Sequence, residues 1–237
     1  MLDKFFDNVS HTVENVGDKT IPVIESKLRK RSVVVPTNIH LASGIKIFGK
    51  RIKAIVFSTD LAIINNTNAD AVIAVYPFTP TLAISKAIIE NSPMPVFCGV
   101  GGGLTSGARS LDIAFHAELS GAYGVVMNAP AKNELISKMR DRIDIPIVIT
   151  VVSEKEDFEA RIRAGVGIFN VSGGADTAKI VRKIRELHST FPIIATGGPT
   201  EESIRETIEA GANAITYTPP TTGEMFEAIM KQYRSEL

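Results

Sequence analysis

Apolar positions in this chain fall into short runs that recur at a fixed distance. The stretch IPIVITVVSEKEDFEARIRAGVGIFNVSGG (145–174) can be set under FPIIATGGPTEESIRETIEAGANAITYTPP (191–220) without a gap. Each starts with a β-branched run after a proline, passes a loop, and opens a helix with acidic residues, which suit the positive end of the helix dipole. Each helix stops at Ala-Gly, a pair that favours a left-handed cap, and a second apolar run follows. The unit is strand–helix–strand, twice over. A third copy begins at Pro95 with PVFCGV and ends in GVVMNAP; its extra length falls in the loop GGGLTSG after the first strand. A less regular copy (KAIVFS, TDLAIINN, ADAVIAVYP) precedes it and has the shortest helix.

These runs predict strands near 53–58, 71–76, 95–100, 124–128, 145–151, 167–172, 192–196 and 214–218. A helical stretch follows each one, the last over 222–235. Alternating βα units with buried, β-branched strands and short loops specify a parallel sheet closed on itself, a (β/α)8 TIM barrel over 53–237. An open doubly wound sheet fits less well, because the pattern shows no switch point. Residues 1–52 form an N-terminal helical and hairpin extension, packed on the barrel or on a partner subunit. Leu2, Phe5, Phe6, Val9 and Val13 follow helical spacing, and a second helix is expected over 20–31. SVVVP and IKIFGKRIK read as short strands, the latter with a Gly-Lys turn.

Composition removes several function classes. With 26 basic and 26 acidic residues, no global field attracts nucleic acid or anionic lipid. The basic cluster Lys27, Arg29, Lys30 and Arg31 has acidic neighbours and reads as a solvated helix end. The single cysteine, Cys98, sits in an apolar run, which excludes an intrachain disulfide and a cysteine-cluster metal site. No signal peptide and no membrane-spanning run is evident, so a soluble cytoplasmic protein is expected, with homo-oligomers open.

Ligands of such barrels meet the C-terminal ends of the strands. Matching the repeats places Thr150 with Thr196 and Asn170 with Thr216, as polar groups of an upper barrel layer. Backbone amides in loops after the sixth to eighth strands can cradle a phosphate: Ser172, Gly173, Gly174, Gly197, Gly198, Thr218, Thr221, Thr222 and Gly223. The long loop offers Gly101, Gly102 and Gly103 for close approach, Thr105, Ser106 and Ser110 as donors, and Arg109 for an anion; Asn128 follows the next strand. Asp60, after the first strand, is placed for a general base or a helix N-cap. No His/Asp/Glu set gathers at the strand tips, so no metal is expected.

The segment IIATGGPTEESIRETIEAGANAITY resembles the closing βαβ of phosphate-binding TIM barrels, the group of sugar-phosphate aldolases, epimerases and related enzymes. The likeness is specific over about 170–225 and architectural from 53 to 170. The whole chain is also similar to a bacterial family of short barrels labelled "hydrolase" with no assigned reaction, through VVVPTNIHLASGIKIFG, VFCGVGGGLTSGARS and ITYTPPTTGEMF. Schiff-base aldolases of the group carry a lysine on an inner strand, and none is here: the sixth strand reads GIFNVSGG, Lys53 is at the wrong strand end, and Lys132 is expected inside a helix. The resulting expectation is an enzyme of lyase or isomerase type acting on a small phosphorylated metabolite, with no cofactor. An FMN- or nucleotide-dependent oxidoreductase and a non-catalytic binder are the alternatives.

Overall fold

The computed structural model describes residues 9–16, 19–26 and 33–235. It opens on a hairpin of β1 (Val9–Val16) and β2 (Lys19–Ser26), which pair antiparallel with Val13 opposite Pro22. The helices expected over Val9 to Val13 and over 20–31 are therefore strands where they are described. Positions four apart share a face of a strand as well as of a helix, so Val9 and Val13 never distinguished the two. Thr20, Ile21, Val23 and Ile24 are β-branched, and Pro22 is tolerated on an edge strand. Leu2, Phe5, Phe6 and the basic cluster lie outside the described residues.

A second hairpin, β3 (Ile45–Ile47) and β4 (Lys50–Ile52), turns at Phe48-Gly49, one residue earlier than the expected Gly-Lys; both turn residues have positive φ. Then come β5 (Ala54–Phe57), α1 (Leu61–Asn65), β6 (Ala71–Ala74), α2 (Leu82–Asn91), β7 (Val96–Gly101), α3 (Ala108–Leu119), β8 (Gly124–Met127) and α4 (Asn133–Arg140). The second half is β9 (Ile147–Val151), α5 (Phe158–Ala164), β10 (Ile168–Val171), α6 (Thr177–Leu187), β11 (Ile193–Thr196), α7 (Glu201–Glu209), β12 (Ala214–Tyr217) and α8 (Thr222–Ser235). Strands β5 to β12 are parallel and close into a barrel, β12 pairing back onto β5. Lys132 stands just before α4, as its N-cap, rather than inside it.

Strand alternation divides the buried residues into two cores. Ile55, Ile73, Phe97, Val126, Val148, Ile168 and Ile194 fill the barrel, and Ile45, Ile47 and Ile52 of the β3–β4 hairpin close its N-terminal end. The residues between, such as Val56, Cys98, Met127 and Phe169, face the helices. Burial of Cys98 pushes its thiol up to about 12, so it packs as a small apolar group. The interior is tight: a Cβ on Gly124 would come within 2.7 Å of the Phe97 ring.

The helical ring is completed unusually. α1 has only five residues, and beside it residues 33–42 run up and back along the barrel. Val33 exchanges backbone hydrogen bonds with Asn66 and Asn68, the Val35 N–H donates to Asn68 Oδ1, and a 3-10 turn (Thr37–Leu41) packs on α7. Val35, Ile39 and Ala42 are buried in the outer core. This segment covers the gap between β12 and β5, which the eighth helix would otherwise cover. α8 accordingly buries no residue, and Phe226, Ile229 and Tyr233 on it are exposed.

Candidate functional site

The C-terminal mouth of the barrel holds two concavities joined by a polar layer. On β7 the inward position above Phe97 is Gly99, opposite Val126, and a bulge then turns Gly101 outward opposite Met127, so no side chain fills the barrel there. The space left is a cavity of about 220 Å³, lined among others by Val75, Tyr76, Phe78, Thr105, Val126 and Asn128. Phe78 and Leu104 stand exposed at its edge. Across the mouth a groove is lined by Thr196, Gly198, Thr200, Thr216 and Thr218, with Glu201 and Glu224 also on its walls. Between them β9 and β10 put Thr150 and Asn170 side by side, the Asn170 amide donating to Thr150 Oγ1 at 3.4 Å.

The long loop after β7 is folded on itself. The Gly102 N–H donates to the Thr105 carbonyl at 2.9 Å, and Asn128 N–H donates to Gly101 O at 2.9 Å. Gly101 and Gly102 have φ of 111° and 102°, and a Cβ on either would collide with Thr105 or Asn128 backbone. These glycines serve the loop's own compaction. Thr105 donates to Thr79 Oγ1, and fully buried Ser110 donates to the Thr105 carbonyl, so Ser110 faces no ligand. Gly101, Gly103, Thr105 and Asn128 line the cavity; Ser106 faces an outer groove beside Lys132, and Arg109 on the exposed first turn of α3 lines neither concavity.

Of the proposed cradle, the structure brings Gly198 and Thr218 together, with the strand residues Thr196 and Thr216 beside them. The two glycines at the end of β11 differ in role. The Gly197 N–H donates to the Thr216 carbonyl at 3.4 Å, and its Cα packs so close to Ile204 and Ile215 that a Cβ would clash. Gly198, with φ of 79°, has an N–H without a partner among the described residues. Ser172, Gly173 and Gly174 do not line the groove; the Gly173 N–H is taken by Thr177 Oγ1, at the start of α6. Thr221, Thr222 and Gly223 also lie outside its lining. Thr221 and Glu224 cap α8 reciprocally, the Thr221 N–H donating to Glu224 Oε2 and the Glu224 N–H to Thr221 Oγ1. The Thr221 N–H, with the Thr221 hydroxyl donating to the same oxygen, holds the Glu224 carboxyl below the usual range.

Asp60, expected as a general base, is occupied as a cap. Its Oδ1 accepts from the Ala62 N–H at 2.8 Å and its Oδ2 accepts from the Thr222 hydroxyl. The Thr222 bond is the main cause lowering its pKa from 3.8, which weakens it as a base. The stabilisation from this pairing is complete above the ordinary value and is lost as pH falls through the lowered one. Among the described residues no three of His, Cys, Asp and Glu come together closely enough to hold a metal ion, and no helix is long and apolar enough to cross a membrane. The sequence marks Thr216 as an upper-layer polar group and gives no specific role to it or to Tyr76 and Phe78, all of which line the two concavities. The signal for Thr216 was the repeat that pairs it with Asn170; for Tyr76 and Phe78 it was their place in the loop after β6.

No family model and no curated protein matches the chain. Solved structures do. A 2,3-dimethylmalate lyase of the PEP mutase/isocitrate lyase superfamily aligns over 84% of this chain and 86% of its own, with TM-score 0.57 and 14% identity. The fold is the TIM barrel. A mandelate oxidase variant with a monooxide FMN adduct shares that TIM barrel over 75% of this chain and 68% of its own, at TM-score 0.58 and 17% identity. Thiamine phosphate pyrophosphorylase from Pyrococcus furiosus does so over 70% and 84%, at 0.52 and 18%. Identities this low establish the fold and nothing finer.

Proposed function

We propose that this TIM barrel binds a small phosphorylated metabolite at its mouth and acts on it by lyase or isomerase chemistry. The observation that carries the phosphate reading is the β11–β12 groove. There the Gly198 N–H, unpartnered and at positive φ, opens beside the Thr196, Thr216 and Thr218 hydroxyls, none of which donates a hydrogen bond among the described residues. Neutral donors converging on one concavity suit a multi-oxygen anion. Helix N-termini contribute less than the sequence suggests, because Glu202 and Glu224 already lie against the starts of α7 and α8. Asp60 serves this reading as the tether of α8 through Thr222.

The test is titration of inorganic phosphate at low salt, followed by thermal shift. Wild type is expected to gain stability with phosphate. Glu224→Gln removes a like charge from the groove wall and is expected to tighten binding roughly threefold, an advantage that shrinks as salt is added. No phosphate response in either protein would remove the reading. An FMN-dependent reaction is the second reading, supported by the aromatic wall of Tyr76 and Phe78 across the mouth from the groove. Flavin absorbance in the purified protein distinguishes it.

A further inference from the structure

The polar layer and the β7 cavity describe the other end of the ligand, given the phosphate reading above. Two polar atoms in the mouth are buried without any hydrogen-bond partner among the described residues, Asn170 Oδ1 and Thr216 Oγ1. Thr216 as a whole is only 8% exposed. Native interiors rarely leave such atoms unpaired, since water has been removed from them and nothing replaces it. Asn170 stands on β10 and Thr216 on β12, at inward positions of the barrel. Thr216 lines the groove, and Asn170 stands beside Thr150 on the strands between the groove and the cavity.

The cavity adds a charge argument. Among the side chains lining it, Tyr76 is the one that ionises at all, and its hydroxyl is already the acceptor for the Thr81 N–H at 2.8 Å. Among the described residues no lysine, arginine or histidine lines it, nor the groove opposite. A carboxylate moved from water into this cavity would meet valines and a phenylalanine edge, without the free Gly198 N–H and the Thr196 and Thr218 hydroxyls that the groove offers a phosphate. An alcohol or an amide loses far less on entering, and its O–H or N–H can donate to Asn170 Oδ1.

We infer that the mouth selects a phosphorylated ligand whose far end is uncharged and hydrogen-bonding, and rejects one that ends in a carboxylate. The phosphate lies in the β11–β12 groove. The body of the ligand crosses Thr150 and Asn170, where a hydroxyl or N–H donates to Asn170 Oδ1. The far end enters the space that Gly99 leaves open, against Asn128 and the Phe78 edge.

The experiment compares inorganic phosphate, glycerol phosphate and phosphoglycerate as ligands of the full chain by titration calorimetry. The two organic phosphates differ mainly in a terminal alcohol against a carboxylate. Glycerol phosphate is expected to bind at least tenfold more tightly than phosphoglycerate. Asn170→Ala is expected to weaken glycerol phosphate about tenfold, the usual effect of one lost hydrogen bond in an enclosed site, while leaving inorganic phosphate unchanged. Phosphoglycerate binding as tightly as glycerol phosphate, with phosphate itself bound, would overturn this inference and leave the phosphate reading standing. No binding of inorganic phosphate would overturn that reading and this one with it. The wild-type comparison needs no variant, so a poorly folded Asn170→Ala protein does not spare the inference.

Discussion

Ile39→Ala is expected to cost about 3 kcal/mol of stability, more than deleting the whole of α8. Ile39 is fully buried in the outer core, in a segment that joins the α1–β6 connection to α7 and lies over the β12–β5 seam. Truncating it opens a cavity where the surroundings are anchored on both sides: Val33 and Val35 are bonded to the α1–β6 connection, and the Asn38 amide donates to Glu201. α8 buries none of its residues, with Met225 only partly covered. A chain ending at Thr222 loses only the partial cover of Met225, Phe226 and Ile229, and is expected to cost less than Ile39→Ala. Chemical denaturation of the two variants against wild type decides the matter. A truncated chain that fails to fold while Ile39→Ala stays near wild type would show that α8, and not residues 33–42, closes the helical ring.

The second large effect concerns the mouth. Gly198→Ala is expected to abolish the thermal shift caused by phosphate, which corresponds to a loss of affinity of at least about tenfold. At φ of 79° an alanine is strained, and its Cβ would come within 2.5 Å of Ser203 Oγ. Ser203 is half of the capping box with Thr200, so relief of the clash shifts the start of α7 along with the amide. The stability cost is about 1–2 kcal/mol, small enough to leave a folded protein. Gly49→Ala is the matched control. Gly49 also has positive φ, at 84°, but lies in the β3–β4 turn, and a Cβ there meets nothing within 4 Å. It should show a comparable loss of stability and an undiminished phosphate response. Equal phosphate responses in both variants would exclude the Gly198 amide as a ligand.

The barrel was legible because its signal is repeated. Eight β-branched runs, each followed by a helix with acidic residues or a small loop at its start, leave one closed parallel arrangement, and the observed strands fall inside the expected ranges except β7, which runs one residue further, to Gly101. The amino-terminal region was not legible, for two physical reasons. Valines spaced by four fit a strand and a helix equally well, which hid the β1–β2 hairpin. The place of residues 33–42 in the helical ring depends on the shortness of α1 and on contacts across the chain, which no local pattern carries.

The site was half legible. Glycines at strand ends mark where backbone amides come near a mouth, and Gly198 is such a case. The sequence does not show which amides are already engaged: Gly197 gives its N–H to Thr216, Gly173 to Thr177, and Gly102 to Thr105. Asp60 shows the same limit. Its position after β5 suits a base, but the Thr222 hydroxyl reaches it from a residue far along the chain.

The most direct measurement of the central claim is residue-resolved amide NMR during titration with inorganic phosphate. The Gly198 amide is expected to move furthest and to saturate, with Thr196 and Thr218 following, while Gly49 and Gly124 at the opposite end stay fixed. Saturating shifts confined to other loops, with Gly198 unmoved, would contradict it.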